Sequence, residues 1–75
     1  MNQKLLVEVD MFIKAKGVGE EYRSMGAQTW TALPRPGDEI RWYDQPCKVD
    51  RIVFHKGAPV PELYCSEIPG RTVPQ

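Results

Sequence analysis

Leu5, Val7, Val9, Met11, Ile13 and Ala15 occupy every second position of one stretch, and Leu6, Glu8, Asp10, Phe12, Lys14 and Lys16 fill the positions between them. Successive side chains of an extended chain point to opposite faces, so this period of two predicts a half-buried β-strand with its apolar face on the odd positions. A strand with one apolar face must lay that face against other strands or a helix. The punctuation of the chain favours strands. Seven prolines and six glycines are spread over 75 residues, which argues against long helices and for short extended segments joined by turns.

After Lys16, Gly17-Val18-Gly19-Glu20-Glu21 breaks the alternation and residues 22–26 are polar without a period, which predicts a loop or hairpin tip of about ten residues. Residues 27–33, with Gln28-Thr29-Trp30-Thr31-Ala32 at their centre, are rich in the types that favour a pleated surface and form the second strand, ended by Pro34. Arg35-Pro36-Gly37-Asp38 predicts a reversal, because Pro36 presets the first central backbone angle and Gly37 accepts the positive φ that a type II turn needs next. The third strand is residues 39–43, with Ile40 and Trp42 on one face and Glu39, Arg41 and Tyr43 on the other; Asp44-Gln45-Pro46 then turns the chain. A fourth strand spans residues 47–56. Its Val49, Ile52 and Phe54 share a buried face only if an extra residue is accommodated near Asp50-Arg51, which predicts a bulge. Gly57-Ala58-Pro59-Val60-Pro61 interrupts the pairing, and residues 62–68 supply the fifth strand before Pro69-Gly70. The whole, residues 1–75, reads as a single domain with an ordered core over 4–69 and a fraying tail over 70–75.

This pattern predicts an all-β fold: a small five-stranded antiparallel barrel or strongly bent sheet. A long first hairpin loop, the Pro34-Arg35-Pro36-Gly37-Asp38 turn and the Val49-x-x-Ile52-x-Phe54 strand together resemble the SH3-like barrel superfold over residues 5–68. The resemblance implies a closed or nearly closed barrel. It carries over no binding residues, since the chain has no acidic cluster with paired aromatics of the kind that peptide-binding members use for proline-rich ligands. The layout also looks like that of short bacterial and phage-encoded proteins.

Charge and motifs narrow the function. Ten Lys plus Arg balance ten Asp plus Glu, so no global field draws the chain to nucleic acid or anionic lipid, and any such contact must be local. Uninterrupted apolar runs reach three residues, against the roughly 18 needed to cross a bilayer. With no secretory pattern at its start, the expectation is a cytoplasmic protein, away from membranes, whose Cys47 and Cys65 stay reduced.

Gly17-x-Gly19 is followed by Tyr22 where a dinucleotide fingerprint needs glycine, so it reads as a turn. Cys47 and His55 are eight positions apart on one predicted strand, about 26 Å, and cannot touch. A hairpin centred near Pro59 or Val60 sets Cys65 opposite Val53 or His55, as a structural neighbour and not a catalytic dyad. The same register keeps Cys47 from Cys65, since a disulfide needs Cα atoms within about 7 Å. Cys47, Cys65 and His55 lack the fourth ligand and the chelate spacing of a zinc site, so neither metal nor cofactor is expected. The adjacent acids Glu20-Glu21 and Asp38-Glu39 face opposite ways in extended chain and read as solvated turn charges. No enzyme is predicted.

Surface recognition remains. Of the seven aromatics, Trp30 or Trp42 and Phe54 are assigned to the core. Phe12, on the polar parity of the first strand, and Tyr43, beside Arg41, are candidate exposed anchors, with Tyr22 and Arg23 in the long loop. The reading is a non-catalytic protein-interaction module acting through Phe12, Tyr22, Arg23, Arg41 and Tyr43. Self-association into a homo-oligomer is expected, because so small a domain buries only about 60% of its unfolded surface. A phage-like accessory or anti-defence protein fits such a compact chain. The alternative is a nucleic-acid-binding barrel using Lys48, Arg51, His55 and Lys56, weakened by Asp44 and Asp50 among them. A third reading is a small anionic ligand or nucleotide held between subunits by Tyr22, Arg23 and Arg41.

Overall fold

The computed structural model of the chain describes residues 6–15 and 21–68. The alternating stretch is strand β1 (Val7–Lys14), and its odd positions Val9, Met11 and Ile13 are buried as their period requires. On one side β1 pairs antiparallel with β2 (Tyr22–Trp30), which is the edge of the sheet. β3 (Glu39–Trp42) and β4 (Gln45–Val53) form a hairpin, and β4 continues antiparallel to β5 (Glu62–Glu67). β5 lies along β1 in parallel, giving the order β2-β1-β5-β4-β3.

The fold is therefore all-β, a single five-stranded sheet curled into a half-barrel, but two expectations are corrected. The sheet is mixed instead of purely antiparallel. A β1/β2 hairpin and a β3-β4-β5 meander, each antiparallel, meet through the parallel β1/β5 pair. Among the described residues β2 and β3 are not paired with each other, so the sheet stays open at this seam. Alternation tells which face of a strand is apolar, and it is silent on which strand lies alongside and in which direction. Among the described residues no helix is long and apolar enough to cross a membrane.

Residues 22–26 also depart from the loop expected of them: they begin β2 and pair with β1. Phe12 faces Ser24 and Met11 faces Gly26, so Met25 is the extra residue of a bulge, and Gly26 adopts φ 78° beside it. The bulge explains why this segment shows no period of two. β2 ends at Trp30, short of the expected 33. Turn residues 17–19, the tail from residue 70 and the first strand's outer ends lie outside the described residues.

Gly37 takes φ 94° and Asp38 N–H donates to the Arg35 carbonyl at 2.9 Å, as the Pro-Gly pair demands. Pairing of Trp42 with Gln45 puts the next turn at Tyr43-Asp44, ahead of the expected Asp44-Gln45-Pro46, with Tyr43 at φ 55°. In β4, Val49 faces Cys65 and Arg51 faces Tyr64, which leaves Asp50 as the residue of the expected bulge. β4 then stops at Val53, and Phe54, expected in the core, is 69% exposed beyond the strand end.

Val9, Met11 and Ile13 of β1, Leu63 and Cys65 of β5, and Cys47 and Val49 of β4 form the core on one face of the sheet. Trp30 and Trp42 pack half-buried at its margin. The Trp30 Nε1 is buried without a hydrogen-bond partner among the described residues.

Candidate recognition face

The solvent face of the sheet carries the chemistry. Parity on β1 and β5 turns Phe12, Lys14, Glu62, Tyr64 and Ser66 away from the core, while Val9, Met11, Ile13, Leu63 and Cys65 fill it. Register sets Phe12 beside Tyr64, Tyr64 beside Arg51, and Lys14 between Tyr22 and Ser66. The Phe12 and Tyr64 rings stack at 4.9 Å, 12° from parallel, and Tyr22 meets Tyr64 edge-on at 5.0 Å. Two cations cap these rings: the Arg51 guanidinium lies 4.6 Å from the Tyr64 centroid and Lys14 Nζ lies 5.2 Å from that of Tyr22.

Asp50 ties the cluster together because its bulge presents an extra side chain to the face. Tyr22 Oη donates to Asp50 Oδ2 at 2.8 Å, and Ser66 Oγ donates to the same oxygen. Burial, reinforced by the Asp50 carboxylate, raises the Tyr22 phenol above its ordinary pKa, so this hydroxyl remains a donor. A second carboxylate sits lower on the face. Glu62 Oε1 accepts from Tyr64 Oη at 2.8 Å and lies 3.0 Å from His55 Nε2. The His55 contact and then the Tyr64 hydroxyl hold Glu62 below the ordinary carboxylate range, and Glu62 in return raises Tyr64.

No protein-family model, no curated protein and no solved structure matches the chain. The reading of this face rests on its own geometry.

Of the residues expected at a protein interface, Phe12 and Tyr22 meet around Tyr64. Arg23 is exposed on edge strand β2, Arg41 on the opposite edge strand β3, and Tyr43 is 80% exposed at the hairpin tip, edge-on to Trp42 at 4.9 Å. Tyr43 thus belongs to the turn and does not share a strand face with Arg41. Lys48, Arg51, His55 and Lys56 are all exposed, but Arg51 is stacked on Tyr64 and His55 is engaged by Glu62. Arg23 and Arg41 lie on different edges of the sheet, which separates the two guanidiniums of the anionic-ligand reading within one chain.

Tyr64, Asp50, Ser66 and Lys14 were not foreseen as a site. Parity alone would have turned Tyr64 outward beside buried Leu63 and Cys65; its position against Phe12 needed the parallel register.

Cys65 faces Val49 and neither Val53 nor His55, the two positions expected opposite it; Val53 faces Glu62, and His55 reaches Glu62 as well. Both cysteines are free and buried in the core. Desolvation pushes Cys47 up to about 11 and Cys65 up to about 12. Neither forms the thiolate a nucleophile requires. Among the described residues no group of three His, Cys, Asp or Glu side chains is placed to hold a metal ion.

Proposed function

We propose that the chain is a non-catalytic protein-recognition module whose docking surface is the Phe12, Tyr22 and Tyr64 face. The observation that carries this reading is the gathering of three rings from three strands, capped by Arg51 and Lys14, on the side of the sheet turned away from the core. Tyrosine and arginine combine large contact area with directed hydrogen bonds and are enriched where interfaces concentrate their binding energy. The SH3-like kinship of the fold is part of the same proposal. Its support is the curl of the sheet and the turn into β3, with the parallel β1/β5 pair as its point of departure.

Protein is preferred to nucleic acid as the partner because Asp50 and Glu62 lie under the two phenol hydroxyls. Carboxylates at those positions oppose a phosphate backbone.

The test offers the immobilised chain a cell lysate and, separately, free copies of itself, at low and high salt. The expected result is a protein species held by the wild type and lost by Tyr64→Ala and Phe12→Ala variants that still fold. Retention of nucleic acid released by salt, or retention indifferent to both substitutions, would refute the reading.

A further inference from the structure

β2 leaves one side of its backbone without a neighbour: among the described residues it pairs with β1 alone, and the sheet ends there. Asp10 N–H donates to the Pro61 carbonyl at 2.9 Å, on the β5 side of β1. Backbone direction alternates along a strand, so Val7, Val9 and Met11 turn theirs to β2 and form hydrogen-bonded pairs with Trp30, Gln28 and Gly26. The N–H and C=O groups of Ala27 and Thr29 therefore point outward, and both residues are exposed. Proteins guard such edges with short strands, charges and bulges. β3, the other edge, has four residues and carries Glu39 and Arg41, whereas β2 has nine and no charge from Ser24 to Trp30. The bulge at Met25 interrupts one end only, since pairing with β1 is regular from Gly26 to Trp30.

We infer that this edge is completed by β2 of a second copy of the chain, antiparallel about a two-fold axis at Gln28. The segment is its own complement in that register. Ala27 meets Thr29 of the second copy, and the two exchange both of their outward hydrogen bonds on each side of the axis. Gly26 meets Trp30 of the second copy; a Cβ built at Gly26 would touch nothing within 4 Å, so the open part of that ring has room. Gln28 faces itself across the axis, about 4.5 Å between Cα atoms. Its Nε2 donates one hydrogen to the Met25 carbonyl at 2.9 Å, and its second hydrogen and its Oε1 have no partner among the described residues. An amide so placed is matched by its own copy, donor to acceptor in both directions. Neighbouring registers lose this fit: an axis at Ala27 sets Thr29 against the bulged Met25, and an axis at Thr29 sets Ala27 against Thr31, past the end of β2. A foreign strand satisfies the backbone alone, whereas this sequence also supplies the side chains that an isologous contact requires. The pairing joins two sheets edge to edge and leaves the Phe12, Tyr22 and Tyr64 face open, so it goes beyond the recognition reading. The contact is small and uncharged, which makes the dimer micromolar or weaker and indifferent to salt.

Sedimentation equilibrium of the full chain from micromolar to millimolar concentration, at low and high salt, tests the inference. The expected result is a wild-type dimer whose dissociation constant does not move with salt. Thr29→Pro removes an outward N–H that β1 does not use, so the monomer should still fold while the dissociation constant rises about tenfold or more. Gln28→Lys and Gln28→Glu each set like charges together on the axis; each alone should be monomeric, and the two mixed should form a heterodimer. That rescue stands if the proline variant unfolds. A wild type that stays monomeric at millimolar concentration, a dimer that salt dissociates, or a dimer untouched by Thr29→Pro and by both charges at Gln28 overturns the inference. In the Thr29→Pro background, loss of a lysate protein on Tyr64→Ala reports on the recognition face by itself.

Discussion

The Phe12 ring lies on the Tyr64 ring, centroids 4.9 Å apart and planes 12° from parallel, across the parallel pair that joins the two halves of the sheet. β1 and β5 are separated by most of the chain, so their pairing carries a loop-closure cost that contacts between them must offset. The stack is one such contact. A double-mutant cycle with Phe12→Ala and Tyr64→Ala should give a coupling of about 0.5–1.5 kcal/mol in urea unfolding. Additive losses would show that the rings do not stabilise each other.

Asp50 accepts from Tyr22 and Ser66 with one carboxylate oxygen, linking β2, β4 and β5 on the solvent face. Hydrogen bonds to a charged group contribute about 1.5–3 kcal/mol. Asp50→Ala should lower stability by about that much, and Tyr22→Phe by less, because Ser66 still serves the carboxylate. Denaturant midpoints would check the order. An Asp50→Ala chain as stable as the wild type would show that solvent replaces both donors without loss.

Alkaline stability should depend on the core thiols. Folding raises Cys47 to about 11 and Cys65 to about 12, while an unfolded thiol titrates near its ordinary value of about 8.5. Their contribution is therefore fully present below about pH 8.5 and is lost as the pH rises through the folded values. Denaturation midpoints should fall over that alkaline range, and fall less steeply in Cys47→Ala. Both thiols should also react with a disulfide reagent only once the chain is unfolded.

The acid limb has the opposite sign. Glu62 is held below the ordinary carboxylate range by His55 and Tyr64, so its contribution is present above that range and is lost as the pH falls through the lowered value. Glu62→Gln should flatten this acid dependence in thermal melts. An unchanged acid limb would show that the contacts around Glu62 do not distinguish folded from unfolded chain.

Tyr43 sits at φ 55° with 80% of its surface exposed. A side chain in left-handed backbone costs roughly 1–2 kcal/mol relative to glycine, part of which glycine returns through its unfolded-state entropy. Tyr43→Gly should therefore raise stability by about 0.5–1 kcal/mol. A loss of stability would mean that the contact of Tyr43 with Trp42 outweighs the strain.

The local elements were legible because local physics sets them. Alternation over β1 puts Val9, Met11 and Ile13 inside, Pro36-Gly37 turns the chain, and the misfit between Val49 and Ile52 demands the extra residue at Asp50. The bulge at Met25 hid the start of β2, since an extra residue erases the period by which a strand is recognised. Phe54 was misplaced because its parity continued past the end of β4 at Val53, where parity no longer orients a side chain.

Which side chains meet is a different matter. Phe12 on the polar parity of β1 was legible as an outward aromatic from the sequence by itself. Its stack on Tyr64, the cation over that ring and the reach of Asp50 to Tyr22 depend on a parallel neighbour and its register. Side-chain order along a strand is a property of that strand, whereas the partner across the ladder is chosen by the closure of the whole sheet. The sequence by itself determined the faces, and only the tertiary structure decided what stands beside what on each of them.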